Sequence, residues 1–309
     1  MRHRPLTRRA ILASGAAFAA SAAMQPCRLR AEVLQPSTRR IPSTGEAIPA
    51  VGLGTWITFN VGNDPMLRDE CTAVIAAFLN GGGRMIDSSP MYGSSQPTIG
   101  YGLKKVRSPQ PLFSAEKVWT SSASSGPDQI EQSRVHWGVP RFDLIQVHNL
   151  VSWKEHLKSL LAMKAAGTVR YVGITTSEGR RHDLVEEIMR TQPIDFVQVT
   201  YNVLDREVEA RILPLAQERR IGVIVNRPFR EGHLIRQLAR QPLPKWTSET
   251  GASTWAQYIL RFIVSHPAVT CAIPATTRVD HVRENMVAAS GPLPDAAMRA
   301  RMIAYVEGL

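Results

Sequence analysis

The chain has 309 residues, of which 44% are hydrophobic and 20% are charged. This length and mix allow a large buried core, and they exclude a disordered chain, a collagen and a disulfide-built miniprotein. After the first thirty residues no long uncharged apolar run occurs, which excludes a bundle of transmembrane helices.

The net charge of +11 is unevenly distributed along the chain. Residues 1–31 contain six arginines and no acidic residue, and the remainder holds 31 Lys and Arg against 26 Asp and Glu, an excess of +5. A mildly basic remainder is weak evidence for nucleic-acid binding. It suits a polyanionic small molecule such as a dinucleotide equally well, so we expect no nucleic-acid partner.

The N-terminal segment has the order of features of an export signal. Basic residues lead through Arg8 and Arg9 into an alanine-rich apolar stretch that ends near Met24. The stretch is too short to span a bilayer, and it lacks the 3.6-residue period of an amphipathic first helix, which is the alternative interpretation. Because the arginine pair resembles a twin-arginine signal, we expect residues 1–31 to be a signal peptide.

Such a signal implies transport to the periplasm by the twin-arginine export machinery, with no stable membrane insertion after cleavage. Ala22 and Ala31 are both candidate cleavage sites, and the sequence leaves the choice open. This route exports folded proteins, which suits a protein that takes up a cofactor in the cytoplasm. Cys71 and Cys271 remain after cleavage, and so few cysteines favour buried free thiols over a disulfide, which stays the alternative.

Short apolar runs alternate with helical patterns from residue 39 onward. Arg39–Ala50, with its Ser-Thr-Gly turn, predicts a β-hairpin. Several of the following runs are continuously apolar, which is typical of strands buried on both faces. The eight predicted strands are Val51–Thr55, Arg84–Ser88, Leu112–Val118, Phe142–His148, Val169–Thr176, Phe196–Asn202, Gly222–Arg227 and Thr270–Pro274. Helical periodicity is clearest at Glu155–Ala166, Arg181–Thr191, Val208–Arg219 and Trp255–Ser265.

Eight strand–helix units in about 270 residues predict an α/β fold, a closed (β/α)8 TIM barrel spanning residues 39–309. The N-terminal hairpin would close the bottom of this barrel. A doubly wound open sheet is the alternative, but it usually carries a glycine-rich phosphate loop after the first strand. Gly52–Trp56 has no third glycine and leads into no helix start.

Four ionisable side chains are predicted at one rim of the barrel. Asp87 ends the second strand, and Tyr92 follows five residues later. Lys117 lies near the end of the third strand, and His148 ends the fourth. Because barrel chemistry sits at the carboxyl ends of the strands, we expect all four to meet there. Each residue alone is more often structural than catalytic, and it is the grouping that favours catalysis.

The grouping predicts the reduction of a carbonyl group. Lys117 would stabilise the phenolate of Tyr92 and lower the pKa of the phenol, and Asp87 would keep Lys117 charged. A neutral His148 would orient the carbonyl oxygen, and Tyr92 would donate the proton. Since no side chain supplies hydride, a nicotinamide cofactor is required.

These residues resemble the aldo-keto reductase family over roughly residues 40–290. The family's Asp, Tyr, Lys and His tetrad falls on the four residues above, with the Asp-to-Tyr spacing kept. Ile41–Glu46 and Gly52–Trp56 resemble its hairpin and first strand. Ile273–Arg278, followed by Glu284 and Asn285, resembles its adenosine-phosphate segment. The resemblance implies an enzyme that reduces aldehydes or ketones with NADP, with NAD as the alternative cofactor.

The resemblance also implies which residues hold the cofactor. Gln198 matches the glutamine that binds the nicotinamide carboxamide, and Glu284 and Asn285 match the pair that binds the adenine. The predicted cofactor residues are Gly54, Thr55, Asp87, Thr175, Thr176, Gln198, Asn226, Pro228, Phe229, Thr276, Thr277, Arg278, Glu284 and Asn285.

Three positions depart from the family pattern. Thr175–Thr176 replaces its Ser-Asn pair, and Asn226 replaces the tyrosine that stacks under the nicotinamide, a loss of about 1 kcal/mol. Ala275 replaces the phosphate-binding lysine. Arg278 is then the nearest group for a 2′-phosphate, with Arg283 next, because arginine binds phosphate bidentately.

Trp56 and Trp119 follow strand ends, so we expect them to line the substrate pocket with His148. Rim packing is the alternative role for both tryptophans. The expected substrate is a small carbonyl compound, and no metal site is predicted. Met298–Tyr305 predicts a packing helix and no lid over the pocket.

A second class of function stays open at this point. The chain could be a cofactor-binding or interaction protein on the same barrel, with weak or vestigial catalysis. The tetrad favours the enzyme, whereas the lost stacking ring at Asn226 and the lost amide at Thr176 favour the binding protein. Oxidation of NADPH in the presence of a panel of carbonyl compounds separates the two.

Overall fold

The structure is a computed structural model that describes residues 36–309, which belong to one compact unit. The predicted signal peptide at residues 1–31 lies outside the described residues. The strands are β1 (Thr38–Arg40), β2 (Ala47–Pro49), β3 (Leu53–Gly54), β4 (Met85–Asp87), β5 (Phe113–Val118), β6 (Phe142–His148), β7 (Val169–Thr175), β8 (Phe196–Thr200), β9 (Gly222–Asn226) and β10 (Val269–Ala272). The α-helices are α1 (Pro65–Asn80), α2 (Ser95–Lys105), α3 (Gly126–Trp137), α4 (Trp153–Ala165), α5 (His182–Thr191), α6 (Ile212–Arg219), α7 (His233–Leu238), α8 (Trp255–Val264), α9 (Val279–Ala288) and α10 (Ala296–Glu307).

The eight strands from β3 to β10 form one parallel sheet in which neighbours along the chain are neighbours in space. Parallel bridges join Val51 to Ala272 and Gly54 to Ala275, and the amide of Gly54 donates to the carbonyl of Pro274 at 3.0 Å. Because these bridges link the first strand to the last, the sheet closes into a ring. The predicted (β/α)8 barrel is confirmed, and all eight predicted strands overlap observed ones.

The predicted hairpin is also present, since β1 and β2 pair antiparallel with Arg39 opposite Ile48. Ile41 and Ile48 are fully buried in one cluster with barrel residues that include Phe113 and Phe196. The rings of those two phenylalanines lie 6.2 Å apart, edge to face. The hairpin therefore closes the amino-terminal end of the barrel and leaves the other end for a cavity.

Two of the predicted helices can be compared with α5 and α6 of the structure. The apolar stripe predicted for Arg181–Thr191 is the buried face of α5, which carries Val185, Ile188 and Met189. The helix predicted over Val208–Arg219 was wrong in its first turn, because Glu207–Glu209 is a separate 3-10 turn. Pro214 has no amide hydrogen, and only the first turn of α6 can accept it without losing a helical hydrogen bond.

The carboxyl-terminal segment packs on the barrel, as predicted from Met298–Tyr305. Met302 and Val306 of α10 are buried, and the hydroxyl of Tyr258 donates to the carbonyl of Met302 at 3.0 Å. Cys71 and Cys271 are free, buried thiols. Among the described residues, no helix has the length and apolar character needed to cross a membrane.

Candidate active site

The structure brings the four predicted rim residues together at the carboxyl ends of β4, β5 and β6. Lys117 forms a buried ion pair with Asp87, and its ammonium lies 5.2 Å from the centre of the Tyr92 ring. The Tyr92 ring in turn meets the His148 ring edge to face, with centroids 5.7 Å apart. An ammonium, a phenol and an imidazole therefore face one point, which is the arrangement that the sequence predicted.

Asp87 is the centre of a hydrogen-bond network inside the barrel. One carboxylate oxygen accepts from Lys117, and the other accepts from Gln146 at 3.1 Å and from Gln198 at 3.0 Å. Lys117 also donates to the carbonyl of Ser88 at 2.7 Å. Burial alone would lower the pKa of Lys117, but the interactions with Asp87, Tyr92 and Glu116 together outweigh burial and raise it. The lysine therefore stays charged although it is fully buried.

The effect predicted for Tyr92 needs a correction. We expected Lys117 to lower the pKa of this phenol below its usual range. Burial raises the pKa of Tyr92, and the nearby charge of Lys117 offsets only part of that rise. The phenol thus holds its proton at neutral pH and can act as a proton donor, while Lys117 stabilises the phenolate that would remain.

His148 is neutral, as the sequence analysis expected. Burial and, secondly, the charge of Lys117 lower the pKa of His148 to about 2. Its Nδ1 atom lies 2.7 Å from the hydroxyl oxygen of Ser89, a residue that the sequence analysis did not single out. A neutral imidazole can hydrogen-bond a carbonyl oxygen without adding a charge to the site.

Sequence reasoning also missed Glu116, a fully buried carboxylate beside the lysine. It accepts hydrogen bonds from Gln96 at 3.0 Å, from the indole of Trp137 at 2.8 Å and from the backbone amide of Lys117 at 2.9 Å. Burial raises the pKa of Glu116 to about 7. The available signal was an acidic residue in the middle of a predicted buried strand, directly before Lys117.

A cavity of about 730 Å³ opens at this end of the barrel and extends from the rim residues to Glu284 and Asn285. That volume is within the usual range for small-molecule and cofactor sites. The predicted cofactor residues that line it are Gly54, Thr55, Asp87, Thr175, Gln198, Asn226, Pro228, Phe229, Thr276, Glu284 and Asn285.

Two predicted site residues lie away from the cavity lining for local reasons. Arg278, just before α9, forms an exposed ion pair with Asp280 two residues later. Trp119 is 40% exposed, and its backbone amide and carbonyl are both hydrogen-bonded to the side chain of Gln129 in α3. Of the two predicted pocket tryptophans, only Trp56 lines the cavity. Thr176 and Thr277 are not among the lining residues either.

Three arginines line the cavity in place of Arg278. Arg180 pairs with Glu178, and Arg227 pairs with Glu178 and Glu231. Arg236, in α7, has no ion-pair partner among the described residues. It is therefore the cavity arginine whose charge is available for an anionic ligand.

The hydrogen bonds of the amide and hydroxyl groups near Gln198 indicate which side chains could hold a cofactor. The Gln198 side-chain oxygen accepts from Thr175 at 3.2 Å, and Asn226 donates to the carbonyl of Thr176 at 2.8 Å. Asn226 also accepts from Thr200 at 2.7 Å. The residue that replaces the stacking ring therefore links the carboxyl end of β9 to the end of β8 and to the residue that follows β7. The buried hydroxyl of Thr176 has no hydrogen-bond partner. Because Thr176 is not among the residues that line the cavity, the groups that could hold the carboxamide of a cofactor here are the lining side chains of Thr175, Gln198 and Asn226.

The fold and the site define a (β/α)8 barrel with a phenol, an ammonium and an imidazole side by side at the carboxyl ends of its strands. The chain belongs to the aldo/keto reductase family, because the model of that family matches residues 50–302. It is 24% identical over 264 residues to methylglyoxal reductase YeaE of Escherichia coli, a match that covers 84% of this chain and 92% of that protein. It is 25% identical over 244 residues to the NADH-specific methylglyoxal reductase of the same organism, covering 67% of this chain and 72% of that protein.

Solved structures give the same fold. A crystal structure of an aldo/keto reductase from Klebsiella pneumoniae, in complex with NADP and acetate, superposes with a TM-score of 0.72. It is 22% identical in sequence, and the match covers 84% of this chain and 92% of that one. At this identity the likeness shows the barrel fold.

Proposed function

We propose that this chain is an NADP-dependent reductase that converts aldehydes or ketones to alcohols, with Tyr92 as the proton donor. The observation that carries the proposal is the placement of a protonated phenol beside the buried Lys117–Asp87 pair and the neutral His148. Membership of the aldo/keto reductase family supports carbonyl reduction as the class of reaction.

The chain's own residues account for the proton half of the reaction. His148 and Tyr92 face the same point, so both can hydrogen-bond one carbonyl oxygen. The phenol then transfers its proton to that oxygen, and the charge of Lys117 stabilises the phenolate. Asp87 holds the ammonium in place through the ion pair.

A nicotinamide dinucleotide, when bound, supplies the hydride that no side chain can give. Gln198 and Thr175, which both line the cavity, would hold its carboxamide end. Glu284 and Asn285, at the other end of the cavity, would hold the adenine.

NADP is the preferred cofactor because Arg236 offers an unpaired charge inside the cavity. The Klebsiella pneumoniae structure contains NADP, which supports the choice, whereas one Escherichia coli relative is named NADH-specific. Arg236 would bind the 2′-phosphate, the role first assigned to Arg278. Methylglyoxal is the first carbonyl to test, since two relatives are named for its reduction.

The decisive experiment follows NADPH absorbance with the purified protein and a panel of carbonyl compounds, with Tyr92→Phe as the inactive control. If the wild-type protein oxidises NADPH in the presence of a carbonyl compound and Tyr92→Phe does not, the result supports the enzyme. NADPH binding with no turnover by the wild type would instead support the cofactor-binding protein, which the absence of a stacking ring at Asn226 favours. We also propose export by the twin-arginine machinery, on the basis of Arg8 and Arg9 before the apolar stretch.

A further inference from the structure

The side chain of Ser89 is fully buried between the loop that carries Tyr92 and the ring of His148. It lies two residues after Asp87, in the turn in which the amide of Tyr92 donates to the carbonyl of Ser89 at 3.0 Å. Its hydroxyl oxygen accepts from the amide of Met91 at 3.2 Å and lies 2.7 Å from Nδ1 of His148. Among the described residues, its hydroxyl has no other hydrogen-bond partner.

These contacts decide the direction of the Ser89–His148 hydrogen bond. A hydroxyl has one hydrogen to donate, and the amide of Met91 already uses one of its two acceptor positions. If Nδ1 of His148 donated to the hydroxyl, the Ser89 hydrogen would be buried with no acceptor, which is costly. If Ser89 donates to Nδ1, both the Ser89 hydroxyl and Nδ1 are satisfied, and the single proton of the neutral ring resides on Nε2.

We propose that Ser89 is a positioning residue that fixes His148 in its Nε2-protonated tautomer, so that the ring presents a hydrogen-bond donor to the carbonyl oxygen of the substrate. In the other tautomer, Nε2 would turn a lone pair toward the carbonyl oxygen and repel it. With Nε2 protonated, His148 and Tyr92 are two donors to one oxygen. The catalytic part of this proposal rests on the proposed function, whereas the tautomer assignment does not.

The tautomer can be read directly from ¹⁵N-histidine-labelled protein by long-range ¹H–¹⁵N correlation NMR. The chain has 8 histidines, and His148 is assigned by the signal that is lost in His148→Gln. His156 is an internal reference, because its Nε2 lies 2.8 Å from the carbonyl oxygen of Thr120, which can only accept. We expect His148 to show the same Nε2-protonated pattern, and an Nδ1-protonated or doubly protonated ring would overturn the proposal.

Three variants separate positioning from a general loss of packing. Ser89→Ala should give a mixture of both neutral tautomers and lower kcat about fivefold, with little change in the affinity for NADPH. Ser89→Thr keeps the hydroxyl and should restore the tautomer and kcat. Ser114→Ala removes an equally buried hydroxyl that contacts Asp143, away from the cavity, and should change neither.

An unchanged tautomer or an unchanged kcat in Ser89→Ala would overturn the positioning role. If Ser89→Ala fails to fold, the spectra of the wild type and of Ser89→Thr decide the assignment. If the wild-type protein reduces no carbonyl, the proposed function fails, and the NMR result still confirms or refutes the tautomer independently.

Discussion

The buried Lys117–Asp87 pair allows a prediction about stability and activity together. Both side chains are almost completely inaccessible, so removing one partner leaves an unpaired buried charge, at a cost of about 3–5 kcal/mol. Lys117→Met should lie near the lower value, because Asp87 keeps the hydrogen bonds from Gln146 and Gln198. Asp87→Asn should lie near the upper value, because the ammonium loses its carboxylate partner and the new amide NH2 must face either the ammonium or the NH2 groups of Gln146 and Gln198, all of which are donors.

Equilibrium urea unfolding of the two single variants and the double variant measures these costs as a cycle. The double variant removes both charges and should be about 2–3 kcal/mol more stable than the sum of the single costs predicts. Carbonyl reduction should fall by about 10²–10⁴ in each variant and should not recover in the double one, because the phenol stays unassisted. The exposed Lys105–Asp69 pair is the control, and Lys105→Met should leave stability nearly unchanged. If the losses in the free energy of unfolding of the two single variants simply add up to that of the double variant, Lys117 and Asp87 do not interact as a buried ion pair.

Three further predictions test the site and the export signal. Arg236→Ala should weaken NADPH binding about tenfold or more and NADH binding less, whereas Arg278→Ala, outside the cavity, should change neither; fluorescence titration decides. Burial raises the pKa of Glu116 from its ordinary value of 4.5 to about 7, so the folded state holds this proton more tightly than the unfolded state. The contribution of Glu116 to the free energy of unfolding should therefore decline by roughly 1–3 kcal/mol as the pH rises from 4.5 to about 7. Urea unfolding of Glu116→Gln across this range should lack that decline. Replacing Arg8 and Arg9 by lysine should leave uncleaved protein in the cytoplasm, and a wild-type protein found there with Met1 intact would contradict export.

Most of the barrel and of its rim could be predicted from the sequence because the signals are local. A polar residue at the end of an apolar run marks the carboxyl end of a buried strand, and Asp87 and His148 both have that signature. The closure of the ring follows from the number of repeating units. The hairpin of β1 and β2 could be predicted because a Ser-Thr-Gly turn precedes the first strand of the barrel.

The differences between expectation and structure concern contacts that no local pattern specifies. Arg278 is the arginine nearest to the lost phosphate-binding lysine, yet it forms an ion pair with Asp280 two residues away. The net pKa direction of Tyr92 depends on how deeply the ring is buried, which sequence spacing does not reveal. Glu116 and Ser89 gain their importance from partners 20 and 59 residues away. Arg236 becomes relevant only because α7 borders the cavity.

The most direct test of the central claim compares the wild-type protein with Tyr92→Phe. NADPH oxidation is measured with methylglyoxal and other carbonyl compounds, and NADPH binding is measured separately by fluorescence titration. The phenylalanine ring keeps the buried packing beside His148 and Lys117 but has no proton to give. We predict that carbonyl reduction is lost and that NADPH binding is nearly unchanged, whereas reduction at the wild-type rate by Tyr92→Phe would contradict the assignment of Tyr92 as the proton donor.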